Sequence, residues 1–319
     1  ALFAPGGSRD VEVTVTAHRP ATTGTLELEA PAGWSVGPAG QRFDLAAAGD
    51  QARLLFTVTA PADPATARLA ARAGVGGMRY DSQRVEVRYP HLPRQLLHPP
   101  ARLKAVCLDL AIRGRSIGYL AGAGDNVADS LVRMGYAVTM LSEADLALER
   151  LREFDAIVIG VRAFNTRADL GPGLPALFGY IEGGGVVIAQ YNNPRGLRVA
   201  EVAPYALQLS GERVTDENAS ITLLAPDHPA LNVPNRITEA DFDGWVQERG
   251  LYFPNQWDER FTALLACGDR GEAPLSGGLL VARHGRGYYV YTSLAFFRQL
   301  PAGVPGAHRL FANLVSLGK

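Results

Sequence analysis

The hydrophobic period changes once along this chain, at the proline-rich stretch Tyr89-Pro90-His91-Leu92-Pro93-Arg94-Gln95-Leu96-Leu97-His98-Pro99-Pro100. Before it, apolar residues recur at every second position. Val11-Glu12-Val13-Thr14-Val15-Thr16 alternates strictly, as do residues 25–30; residues 53–59 read as a third strand, and Arg84-Val85-Glu86-Val87-Arg88-Tyr89 as a last one. Period two puts one face of a strand in a core and the other in water. Short strands of this kind, separated by Gly- and Pro-rich breaks such as PAGWSVGPAG, APADPAT and GVGG, predict a β-sandwich.

After the proline-rich stretch the pattern is different. Strands are predicted at 116–120, 137–141, 154–160 and 186–191, most of them apolar on both faces, and helices at 126–134 and about 173–182 alternate with them. Ser142, with Asp145 three residues on, predicts a capped helix start. Strands apolar on both faces need cover on both faces, which means a parallel, doubly wound sheet. The end of the chain reads as a strand at 261–267, a hairpin at 278–293 and a helix at 305–316. The expected organisation is multidomain: a β-sandwich over 1–90, an extended linker over 91–101 and an α/β, doubly wound domain over 102–319.

Composition excludes some roles. Against 32 Asp and Glu stand 31 Lys and Arg, a net charge of -1. A generic polyanion binder carries a positive excess, so nucleic acid is not an expected partner. No apolar run approaches the roughly 18 residues of a membrane-spanning helix. The chain begins without Met at ALFAPGGSRD and is expected to be a piece of a longer protein. The only cysteines, Cys107 and Cys267, lie in apolar segments and read as buried thiols.

Few motifs carry chemistry. Gly122-Ala123-Gly124 lies between a strand and a helix, but the third glycine of a dinucleotide fingerprint is missing at Val127, and Asp125 would repel a phosphate. It reads as a tight turn. No GxSxG or GxCxG elbow occurs, and the six histidines form no HxH or HxxxH pair. Asp227-His228-Pro229 reads as turn chemistry. No catalytic residue, metal ligand or cofactor is therefore expected. What remains is a dense polar and aromatic set. Arg162, Asn165, Tyr191 and Asn192 follow two predicted parallel strands, at the carboxyl ends where open α/β sheets bind ligands. Arg213, Asp216, Glu239, Asp241, Trp245 and Arg298, the last in Phe296-Phe297-Arg298-Gln299, are nominated by density alone. Such residues suit a sugar cleft, with rings to stack on and forked hydrogen bonds to hydroxyls. They suit equally a buried ion-pair network that holds long loops together.

Four stretches of residues 116–318 resemble the C-terminal region of long bacterial PIG-L/LmbE-type deacetylases: GYLAGAGDNVADSLVRMGYAVTMLSEADL, FDAIVIGVRAFNTRADL, RVTDENASITLLAPDHPALNVPNRITEADFDGWVQERGLYF and GLLVARHGRGYYVYTSLAFFRQLPAGVPGAHRLFANLVSLG. The resemblance implies a class I glutamine-amidotransferase-like, flavodoxin-like doubly wound sheet of the kind also seen in ThuA-like proteins, and it makes the sandwich before it Ig-like. Residues 1–90 are similar to the Ig-like sandwich beside sugar-active domains in bacterial alpha-galactosidases, through residues 31–36 and 54–61. The deacetylases carry a zinc-binding His-Pro-Asp-Asp motif, which is absent here, and where an amidotransferase would have its cysteine elbow this chain reads Val161-Arg162-Ala163-Phe164. The resemblance therefore implies a non-catalytic accessory region that recognises or positions a glycan or mediates assembly. Its expected partners are a carbohydrate ligand and an upstream deacetylase domain of the parent, and its expected location is periplasmic or extracellular. A sugar-active enzyme using Glu239, Asp241 and Glu248 stays open, as does a purely structural or oligomerisation module. Neither ligand identity nor oligomeric state is read from the sequence.

Overall fold

The alternating segments become strands of two facing sheets. In the computed structural model, which describes residues 1–319, they belong to a first unit, Ala1–Asp109. One sheet runs in the order Leu2–Phe3, Arg102–Cys107, Ala65–Val75, Thr22–Glu29, Gln41–Leu45, with Met78–Tyr80 also on Ala65–Val75; the other is Ser8–Thr16, Gln51–Thr59, Ser35–Gly37. Leu26, Leu28, Phe43 and Leu69 of the first meet Phe56 and Val58 of the second in a common core. Trp34, from the PAGW turn, packs edge-on against Phe3 at 5.2 Å. This is the β-sandwich that the alternation predicts, of the Ig-like kind that the resemblance implies.

Its boundary differs from the expected one. Arg102–Cys107 is not the start of the α/β domain; it pairs antiparallel with residues 65–70 and parallel with Leu2–Phe3. Ala105 and Cys107 are buried in this unit's core. The expected linker also differs. Gln95–Leu97 pairs with Val85–Val87 in a separate two-stranded hairpin, and Val85, Tyr89, Leu92, Leu96 and Leu97 are exposed on it. The prolines at 90 and 93 sit in the hairpin's loop. The segment expected as the sandwich's last strand is thus half of this arm. Ala65–Val75, a full sheet strand, is rich in Ala and Arg, weak strand formers that hide it from pattern reading.

The second unit is Leu110–Lys319. Its seven-stranded sheet has the order Ala137–Met140, Ser116–Leu120, Ala156–Ile159, Val186–Gln190, Gly287–Thr292, Leu279–His284, Phe261–Ala263. The first five are mutually parallel and the last two join antiparallel. Numbered along the chain, the parallel strands stand 2-1-3-4-5, the flavodoxin-like doubly wound order. The Ala156–Ile159 and Val186–Gln190 strands are buried at every position, as expected of central parallel strands. The Leu170–Glu182 helix covers one face through Leu174, Leu177 and Ile181.

Local readings fare unevenly. Ser142 and Asp145 do form a capping box, but on a one-turn 3₁₀ helix, Glu143–Asp145. The expected 261–267 strand is two, Phe261–Ala263 and Leu265–Cys267, which pair with different partners. No helix is long and apolar enough to cross a membrane.

Candidate functional site

The sharpest local feature of the second unit is the turn after Ala156–Ile159. Arg162 has φ +57° and opens the short helix Ala163–Thr166. A strand, a left-handed residue and a helix make the elbow that α/β enzymes use to present a nucleophile. Here the apex carries a guanidinium. A side chain in this backbone region costs about 1–2 kcal/mol and persists only where its surroundings impose it.

Those surroundings are identifiable. The N–H of Arg162 donates to the Tyr191 carbonyl across 2.8 Å. The Val161 N–H donates to Oδ2 of Asp125 at 3.2 Å, and that of Phe164 to Oδ1 of Asn192 at 3.0 Å. Gly122 lies against the elbow so closely that a Cβ there would be 2.1 Å from the Val161 carbonyl oxygen and 2.7 Å from the Ala163 nitrogen. The Gly122-x-Gly124 turn therefore exists to admit the elbow backbone. Asp125 ties the turn down: its Oδ1 accepts from the Tyr119 hydroxyl at 2.5 Å and the Val127 N–H at 2.9 Å. Below, the buried Gln190 donates to the Tyr119 hydroxyl at 3.3 Å and leaves its Oε1 without a partner.

Around the elbow lies an aromatic cluster. The Tyr191 ring is 5.3 Å from Phe297 and 6.0 Å from Tyr252. Tyr252 also has positive φ, +56°, and its hydroxyl accepts from Nδ2 of Asn193 at 3.3 Å. Arg298 lies 4.7 Å over the Phe297 ring and donates through Nε to Glu248 at 2.5 Å. The loop bearing Glu248 passes through Gln247, a third left-handed residue of this unit at φ +73°, and is braced by Gln299, whose amide clasps the Val246 backbone. Burial raises the Tyr191 phenol above its ordinary pKa, against the opposing pull of the Arg162 and Arg298 charges close by.

The structure divides the nominated residues. Arg162, Asn165, Tyr191 and Arg298 come together at the carboxyl ends of the strands, with Tyr252, Phe297 and Glu248. Asn165 serves the loop itself, donating to the carbonyls of Asn193 and Arg195 and accepting from the Asn193 N–H. Asn192 is fully buried and fully used: besides Phe164, it donates to the Gln190 carbonyl, and its N–H donates to the Tyr291 hydroxyl. It positions the elbow and is not available to a ligand.

Asp241 and Trp245 are not cleft residues either. The Asp241 carboxylate is buried, pairs with Arg309 and closes a capping box with Thr238. Trp245 is buried, stacks on Phe242 at 5.4 Å and donates from Nε1 to the Asp241 carbonyl at 3.1 Å. Beside them the buried Arg249 donates to the carbonyls of Ala219 and Phe242 and lies 5.6 Å over the Trp245 ring. For this stretch the network reading holds. Glu239 is exposed at the start of the one-turn helix it shares with Asp241. Arg213 is exposed on a two-residue strand paired with Gly250–Leu251, and Asp216 accepts from the Asn218 N–H in its own turn. No hydrogen bond or ring contact joins these three to the Tyr191 cluster.

The arrangement can hold a ligand more readily than attack one. Burial raises the Cys267 thiol to about 12 and the Cys107 thiol in the same direction. No group of three or more His, Cys, Asp or Glu gathers as metal ligands do. Nδ1 of His228 accepts from the Ala230 N–H and caps a short helix, which is the turn role expected of it.

Residues 4–75 match the family model described as the NPCBM-associated, NEW3 domain of alpha-galactosidase. No curated protein matches the chain. Among solved structures, a cytoplasmic protein from Salmonella typhimurium is 12% identical with a TM-score of 0.42, over 63% of this chain and 98% of its own. A candidate GMP synthase component from Thermoplasma acidophilum is 11% identical with a TM-score of 0.41, over 65% of this chain and 96% of its own. A ThuA-like protein from Bacteroides uniformis is 14% identical with a TM-score of 0.37, over 64% of this chain and 90% of its own.

Proposed function

We propose that this chain is a non-catalytic, glycan-recognising accessory region, part of a PIG-L-type N-acetyl-sugar deacetylase that works outside the cytoplasm. One observation carries the reading. The elbow of the second unit presents Arg162 instead of a nucleophile, beside the half-buried rings of Tyr252 and Phe297, which pack on the buried Tyr191. Aromatic faces with forked donors at their rim are what pyranose rings bind to. The match of residues 4–75 to a domain of alpha-galactosidase supports a sugar-related setting. The parent family rests on the four stretches that resemble long deacetylases.

Of the carboxylates that a sugar-active enzyme could use, Asp241 is engaged with Arg309 and Glu248 with Arg298, and the exposed Glu239 stands apart from the Tyr191 cluster. A glycan array probed with the purified chain tests the reading. Saturable binding that Tyr252→Ala removes is the expected result; no binding to any glycan would overturn it. A His-Pro-Asp-Asp motif in the upstream reading frame is expected from the proposed parentage.

A further inference from the structure

Two guanidiniums stand at the Tyr191 cluster, and neither is used up. Arg162 makes no side-chain hydrogen bond or ion pair, and its side chain is exposed at the apex of a strained turn. Arg298 uses only Nε, on Glu248, which leaves the two terminal nitrogens of its fork free. A guanidinium only donates. The amides that could accept from neutral hydroxyls are already committed: Asn165 and Asn192 to the loop backbone, and Asn193 to the Tyr252 hydroxyl and the Arg195 N–H. With two arginines against Glu248, the cluster keeps one positive charge in excess. Arg195 and Arg198, exposed on the loop that Asn165 holds, add to the same sign.

A donor-rich, acceptor-poor aromatic surface with surplus positive charge suits an anion that also has an apolar face. We propose that the cluster reads the carboxylate of an acidic sugar, with Arg162 as the carboxylate-binding residue and the ring stacked on the half-buried Tyr252 and Phe297, which rest on the buried Tyr191; this rests on the glycan reading above. Strain at Arg162 fits the role. The elbow fixes the Arg162 backbone at the sheet edge before any ligand arrives, so only its side chain has to be ordered on binding.

Paired probes give the test: oligosaccharides of hexuronic acid and the same oligosaccharides with their carboxyl groups reduced to primary alcohols, titrated calorimetrically into the whole chain. The acidic form should bind about tenfold tighter or more, and its advantage should shrink as salt rises. Arg162→Gln should bring the acidic form down to the level of the reduced one. Equal affinity of the wild-type chain for both forms would overturn the carboxylate assignment and leave the glycan reading standing. Binding of neither would overturn the carboxylate assignment, and the glycan array then decides whether the glycan reading falls with it. The wild-type comparison and its salt dependence need no variant, so they decide even where Arg162→Gln lowers stability.

Discussion

The backbone N–H of Arg162 donates to the carbonyl of Tyr191 across 2.8 Å, so the elbow after one parallel strand is tied to the first residue beyond the next. The contact fixes the cation and the aromatic ring to one another through backbone. A side-chain change at the exposed Arg162 should therefore alter recognition without moving the Tyr191 ring.

Arg162→Gly separates strain from function. Glycine takes positive φ freely, so the variant should be as stable as the parent or more stable by up to about 1 kcal/mol. Binding of the acidic probe should fall to the level of the neutral one. A melting temperature several degrees lower would show that the Arg162 side chain supports the fold.

Gly122→Ala should act on the same elbow from the other side. Its Cβ would meet the Val161 carbonyl oxygen and the Ala163 nitrogen, both backbone atoms that cannot rotate away. Overpacking of this kind costs about 1–3 kcal/mol. Calorimetric melting measures the cost, and probe affinity should drop with it because Arg162 is displaced.

Trp245→Ala and Asn192→Ala should behave as core lesions. Truncating a buried Trp costs about 3–5 kcal/mol. Removing the Asn192 amide leaves the buried Phe164 N–H unpaired, at about 1–3 kcal/mol. Urea unfolding gives both values. Loss of binding at unchanged stability would instead return these residues to the cleft.

Acid stability should report on Asp155. Burial pushes its carboxyl up, but N–H donation from Arg115 and Ser116 and the Lys319 ammonium outweigh it and hold the group well below its ordinary value. A folded-state pKa below the unfolded one gives stability that is whole above about pH 4 and is lost as pH falls through the folded value. Asp155→Asn should flatten the stability curve below about pH 4 relative to the parent. An unchanged acid slope would assign the loss to other carboxylates.

Limited proteolysis should cut first in the exposed arm, within residues 88–94. The nicked first unit should stay in one piece under native conditions, because Arg102–Cys107 remains zipped to Ala65–Val75 beyond the cut. Release of two separate fragments on gel filtration would restore the linker reading.

The sheet of the second unit was legible because its central strands are apolar on both faces, a pattern with one structural meaning. The position of Arg162 after such a strand was legible for the same reason. Its strain was not, since that depends on Gly122 and Asp125 arriving from another turn. Asp241 and Trp245 were misread from polar density, although Thr238-Glu239-Ala240-Asp241 carries the same capping spacing as Ser142 and Asp145 and could have marked Asp241 as structural. Tyr252 has no local signal; only the left-handed turn at its backbone brings it beside Tyr191. Arg102–Cys107 was misassigned because short buried strands look alike whichever sheet they enter.

That last strand has a consequence for synthesis. Leu2–Phe3 pairs with Val106–Cys107, and nothing earlier in the chain can fill the position between Leu2–Phe3 and Ala65–Val75. As the polypeptide leaves the ribosome, the first unit waits with an open seam until residue 107 has emerged, by which time the exposed arm is already out. A nascent chain stalled at residue 75 or 90 would display two raw strand edges, the surfaces on which unfinished β-proteins stick to one another.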